Sequence, residues 1–378
     1  MSSETRREFL RRLGGISALF FAARGRLDVF GVDEVDPFDL LVVGDSIVWG
    51  QGLEEKDKFY SLTADWLRDE ALHGKRDVII KVKAHSGSTL KFHAQEAEKY
   101  KKAGRSETYH MAPEVNVGFP SIWKQIEVAA AEYKAAGNTD GPDLILLTGG
   151  ITDIGVEKVL DPFGDNRKLP PLIEKYCRDD MFDVLEHAAV LHPNSLIVVV
   201  GYFPMLSPKS SKSRMFNDWL ESMSFPRPLK PLANNGVIRP LFFNRLGKKG
   251  IARSRIWFEE SNKNLQAAVD QLNRKAGRQR AMFIRSPITE DTCIETPNSL
   301  LFKMGKSGVV EDPLYRARAA ECERALAELR KSTGIDYPVR SCKIAGLGHP
   351  NRAGARAYAE AIKATLSSIS FPLNEADL

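Results

Sequence analysis

Cysteine is scarce in this chain. Four residues (Cys177, Cys293, Cys322, Cys342) are spread through 378 positions with no CxxC pair, which argues against a zinc site and leaves any bridging open. No apolar run reaches the roughly 18 residues that a membrane span needs. The nucleophile elbow G-x-S-x-G of α/β-hydrolases is missing, as is any G-x-G-x-x-G behind a strand. Gly305-Lys306-Ser307 ends like a phosphate loop, but Leu300 stands where its first glycine belongs. There is no H-E-x-x-H, and His187 and His192 are spaced so that one helix face cannot hold both. What remains is an ordinary globular composition, 43% apolar and 27% charged, in a chain long enough for one large α/β domain or two small ones.

The net charge of +5 is unevenly placed. Leu206 to Arg285 carries 17 Lys or Arg against 5 Asp or Glu, a local +12 that leaves −7 for the rest. The amino terminus has its own pattern. Arg6-Arg7-x-Phe9-Leu10 resembles the twin-arginine export signal and precedes an uncharged run, Leu13 to Ala23. Residues 1–37 are therefore expected to be a signal-like or flexible segment of an exported, periplasmic protein. The alternative is a cytoplasmic protein whose amphipathic first helix packs on its domain.

From Phe38 onward, β-branched runs alternate with helical stretches. Strands are predicted at 39–43, 77–84, 143–148, 195–203 and 281–284. Helices are predicted at 59–72, 121–136, 172–191, 262–275, 313–331 and 351–369. Near-continuous apolar strands separated by helices point to an α/β fold, with a five-stranded parallel sheet covered on both faces. A Pro-, Lys- and aromatic-rich insertion, residues 205–255, follows the fourth strand. It is read as a candidate lid over the site, with a surface subdomain as the alternative. Its aromatics and those just beyond (Phe216, Trp219, Phe225, Phe242, Phe243, Trp257, Phe258) could seat it on anionic lipid. No nucleic-acid module accompanies the charge.

Four stations fall at the ends of successive elements. Gly44-Asp45-Ser46 follows the first strand, Gly87 the second and Gly150-Ile151-Thr152-Asp153 the third, and His349-Pro350-Asn351 opens the last helix. The GDSxxxG stretch from Gly44 to Gly50, in this order with the others, resembles the SGNH (GDSL) hydrolase family over residues 38–369. That resemblance implies a flavodoxin-like three-layer sandwich and ester hydrolysis through an acyl-serine, with a carboxylic or lipid ester as substrate and neither metal nor cofactor.

The residue chemistry agrees. Ser46 at a helix amino terminus is a nucleophile that needs a base, and His349 is the candidate. The backbone N–H groups of Ser46 and Gly87 are candidate oxyanion donors. Asp45 is read as capping the turn, Gly150 as supporting it, Asp153 as a helix cap, and His85 as structural. The sequence departs from the family twice. Thr152 replaces an Asn whose amide donates to the oxyanion, so its hydroxyl is the candidate third donor. Gly346 replaces the Asp that orients the imidazole, leaving a backbone carbonyl of residues 346–348, an acid such as Asp336, or a plain Ser–His dyad. The competing expectation is an SGNH-fold binding protein, for an acylated or anionic ligand, that has lost turnover.

Overall fold

The computed structural model describes residues 36–92, 94, 98, 120–211, 239–305, 308–334 and 336–369. Residues 1–35 of the signal-like segment and residues 212–238 of the insertion lie outside them.

Five short runs form one sheet: β1 (Phe38–Val43), β2 (Val78–Val82), β3 (Leu144–Leu147), β4 (Leu196–Val200) and β5 (Ala281–Ile284). The order is β2-β1-β3-β4-β5 and every pairing is parallel, with Leu40 beside Ile80 and Leu144, and Ile197 beside Ala281. Consecutive residues of β1, β3 and β4 are fully buried. Both faces of these strands are therefore covered, which is why their sequences do not alternate. The order reverses between β1 and β3, and the crevice beyond their carboxyl ends is where such sheets bind ligands.

The helices are α1 (Ser46–Trp49), α2 (Phe59–Trp66), α3 (Ile122–Ala135), α4 (Ile151–Ile154), α5 (Val156–Leu160), α6 (Leu169–Glu174), α7 (Met181–Leu191), α8 (Arg239–Ala276), α9 (Tyr315–Thr333), α10 (Val339–Lys343) and α11 (Arg352–Leu366). A π-helical turn, Lys175–Asp180, joins α6 to α7, so the helix expected over 172–191 is continuous but locally widened. α2 packs against α11, while α7 packs against both α3 and α8.

The largest departure from expectation is α8. It begins at Arg239, well ahead of the predicted 262, and packs on α6 and α7. Gly247 and Gly250 lower its intrinsic propensity, and tertiary packing overrides that loss. Residues 239–255 of the expected lid thus belong to the crossover helix between β4 and β5. One of the aromatics expected at a lipid surface belongs instead to the core. Trp257 is fully buried, and Phe258 is half-buried with the Arg285 guanidinium 4.8 Å from its ring centroid. Arg253 and Arg280 are buried as well. Arg253 donates to the carbonyls of Val159 (3.1 Å) and Lys158 (2.5 Å), and Arg280 to those of Pro193 and His192 (2.9 Å). Part of the local positive charge is therefore spent inside the domain.

β1 and β3 meet closely where they end. Gly44 has φ +139°, and a Cβ there would sit 2.5 Å from the Thr148 carbonyl oxygen. We expect Gly44→Ala to lower stability by about 3 kcal/mol through combined backbone strain and overlap, read by urea unfolding. An unchanged midpoint would contradict the close approach.

Candidate active site

Past Gly44 the chain turns into α1, and the turn is locked by Asp45. This fully buried carboxylate accepts from the Ile47 N–H (3.0 Å), the Thr148 hydroxyl (2.7 Å) and the Tyr202 hydroxyl (2.5 Å). Burial raises its pKa, and these three donors oppose the rise. Gln125 clamps the residue before it, accepting from the Gly44 N–H (2.7 Å) and donating to its carbonyl (3.1 Å). Ser46 is consequently the first residue of a helix whose entry is fixed from β3 and from the segment after β4.

His349 reaches the same edge from the far end of the chain. Its backbone is held by a short antiparallel pairing: Phe302 N–H to the His349 carbonyl (2.8 Å), Gly348 N–H to the Phe302 carbonyl (2.9 Å), and a bridge between Leu301 and Pro350. Asn351 then caps α11, accepting from the N–H groups of Ala353 (2.9 Å) and Gly354 (3.0 Å). The result is a Ser46 Oγ to His349 Nε2 distance of 2.8 Å across 303 residues. Loss of hydration pushes the imidazole pKa down to about 4. The carbonyls of Leu347, Gly346 and Ala345 pull the other way, while Arg318 adds to the depression. Those carbonyls are close enough to favour the charged ring, but among the described residues Nδ1 has no hydrogen-bond partner.

Of the remaining stations, Thr152 lines the same cavity as Ser46 and His349, while Gly87 and Gly150 are not among its lining residues. Gly87, with φ +80°, occupies the turn after β2 that the Ser88 N–H closes onto the His85 carbonyl (3.2 Å). Gly150, with φ +118°, leads into α4. Thr152 lies beside the serine, but its hydroxyl donates to the Ser88 carbonyl (2.5 Å), so its one proton is committed to the backbone and not to an oxyanion. Asp153 caps no helix. Its carboxylate accepts from the Leu90 N–H (3.1 and 3.2 Å), tying the loop after β2 to α4, and loss of hydration pushes its pKa up to about 7. His85 is buried, with its ring edge-on to Trp49.

A cavity of about 310 Å³ opens at Ser46 and His349. Its wall is largely apolar, with Ile47, Ile151, Leu160, Phe203, Leu206 and Ile344 among its members. Sequence reasoning missed Gln51, Ser86, Tyr202 and Trp257 in this wall. Tyr202 had a legible signal, since it stands just past the end of β4. Met205 and Leu206, the first residues of the insertion, do reach the site. A larger hollow of about 540 Å³ around Lys303, Glu311 and Arg352 contains neither Ser46 nor His349.

No family model matches the chain, and no curated protein matches it. The solved structures to which it is similar include lipases and esterases. An extracellular lipase from Streptomyces rimosus is 12% identical over 86% of this chain and 99% of its own, with a TM-score of 0.43. A phospholipase A1 from Streptomyces albidoflavus NA297 is 12% identical over 87% and 99%, with a TM-score of 0.40. A carbohydrate acetylesterase from Sinorhizobium meliloti is 12% identical over 88% and 99%, with a TM-score of 0.34. The chemistry of the site rests on its own atoms.

Those atoms explain the glycine at 346. A Cβ there would lie 2.6 Å from Asp312 Oδ2, a buried carboxylate that accepts from Arg318 (2.5 Å). Asp336 is exposed and does not orient the ring. An acid at 346 has no room. We expect Gly346→Asp to cost about 2 kcal/mol of stability through overpacking beside a like charge, with no gain in esterase rate. Thermal unfolding and an ester assay decide it; a faster enzyme of parental stability would show that the space can be made.

Proposed function

We propose that this chain is a serine-dependent hydrolase of carboxylic esters, acting through an acyl-serine on Ser46. The observation that carries the reading is the 2.8 Å contact between Ser46 Oγ and His349 Nε2 at the mouth of an apolar cavity. His349 Nε2 takes the proton as Oγ attacks the ester carbonyl, and the tetrahedral oxyanion is met by the N–H groups of Ser46 and Gly87. The imidazolium then returns the proton to the departing alcohol. Water, activated by the same nitrogen, releases the acid and regenerates the serine. With Thr152 committed to Ser88, the oxyanion site has two backbone donors. With Nδ1 unpaired, the base is one half of a dyad.

The acyl group stays on Ser46 through both half-reactions while the alcohol leaves after the first. The cavity around Ser46 is thus best used by the acyl group, and its apolar wall favours a hydrocarbon chain over a sugar. The Cys322–Cys342 bridge supports the export expectation, since such bonds persist in oxidising compartments.

The unpaired Nδ1 favours a second reading, a binding protein on this scaffold without turnover. A fluorophosphonate probe separates the two. We expect covalent label on Ser46, located by mass spectrometry, that is lost in Ser46→Ala, and a fall in turnover of about 10³-fold or more in His349→Gln. A folded protein that takes no label, yet binds acyl ligands as Ser46→Ala, would favour the binding reading.

The depressed imidazole pKa sets the pH response. The base works when neutral, so activity is present above its pKa and lost below it. We expect kcat/KM to hold through pH 5 to 6 and to fall by half near pH 4, where an imidazole of ordinary pKa would lose activity near 6.5. A midpoint above pH 6 would mean that the ring is more hydrated, or better paired, than its surroundings indicate.

A further inference from the structure

The turns that carry Ser46 and Gly87 share one buried side chain. Gln125, on α3, is 1% exposed and is not among the residues lining the Ser46 cavity. Besides its two bonds to Gly44, it donates through Nε2 to Ser88 Oγ (2.8 Å) and to the Pro120 carbonyl (3.1 Å). The Gly44 carbonyl also accepts from the His85 N–H (3.0 Å), and Ser88 Oγ donates to the His85 carbonyl (2.8 Å). The paired register of β1 and β2 ends at Val42 and Val82. Past that point the Gln125 amide continues the connection, from the residue before Asp45 to the residue after Gly87.

The chemistry at position 125 is specific. An amide puts an acceptor oxygen and a two-proton donor on one planar group. Here the oxygen meets the Gly44 N–H, and the nitrogen meets three oxygens. A carboxylate would set an acceptor against those same oxygens. An apolar side chain would leave the buried Gly44 N–H unsatisfied.

We propose that Gln125 is a positioning residue for the oxyanion hole, fixing the separation of the Ser46 and Gly87 N–H groups. The inference rests on the reading of Ser46 as the nucleophile, and it adds a residue that acts through both turns from behind them. A misplacement of about 1 Å can lower turnover by roughly 10²-fold. The ester itself is held by the apolar wall, so the loss falls on acylation and not on binding.

The test follows p-nitrophenol release from p-nitrophenyl butyrate by stopped flow, using the full chain. This separates the acylation rate constant from the dissociation constant of the ester. In Gln125→Met, acylation is expected to be about 30- to 100-fold slower, with the dissociation constant within about threefold of the parent. The acid midpoint of the pH profile should not move, because His349 is held by other contacts. Ser88→Ala removes the hydroxyl that links the amide to the Gly87 turn, and should slow acylation about fivefold. The double variant should be no slower than Gln125→Met alone, since both changes break one link. Parental acylation in a folded Gln125→Met, a loss confined to ester binding, a shifted acid midpoint, or additive losses in the double variant would overturn the proposal. If Gln125→Met does not fold, Ser88→Ala decides: slowed acylation supports the link and a parental rate ends it. A parent that releases no p-nitrophenol and takes no fluorophosphonate label would sink the hydrolase reading, and this inference with it.

Discussion

A single buried carboxylate organises this molecule's working edge. Asp45 has no contact with water, and such a charge is tolerated only when hydrogen-bonded from several sides. Its donors are the backbone of α1, the end of β3 and Tyr202 beyond β4. Satisfying this one group requires three separate chain segments to be brought to fixed positions. Ser46 is the next residue, so its placement follows from that requirement. Trp257 is set by the same network one ring further out.

The imidazole is held by different means. Among the described residues no acid touches His349 Nδ1, and the ring is placed by backbone pairing with residues 300–302 and by the helix cap at Asn351. Behind its loop, the buried Asp312–Arg318 pair fills the space against Gly346, and Arg318 also donates to the Lys343 carbonyl (3.3 Å). The Cys322–Cys342 bridge joins α9 to α10, immediately ahead of the cavity-lining residues Ile344, Ala345 and Leu347 to His349. Orientation by a rigid platform replaces orientation by a carboxylate. This leaves the ring poorly hydrated, the physical cause of its depressed pKa.

Much of the fold was legible before any coordinates. The strands at 38–43, 144–147, 196–200 and 281–284 are continuous apolar runs because both sheet faces are covered, and that pattern survives in the sequence. The start of α8 was not legible. Gly247 and Gly250 speak against a helix locally, and only packing on α6 and α7 supplies what those residues lack. Trp257 read as a surface aromatic for the same reason, since its burial depends on α8 beginning so early.

The sequence by itself determined the parallel sheet, the turn that exposes a serine, and the candidates for nucleophile and base. These are matters of side-chain period, turn chemistry and residue type, all local properties of the chain. Only the tertiary structure decided that Thr152 gives its proton to Ser88, that Asp153 ties a loop instead of capping a helix, and that Asp312 leaves no room at 346. A side chain has few protons and lone pairs, and which neighbour takes them depends on how distant segments close together. That closure is a property of the packed whole, and no window of sequence contains it.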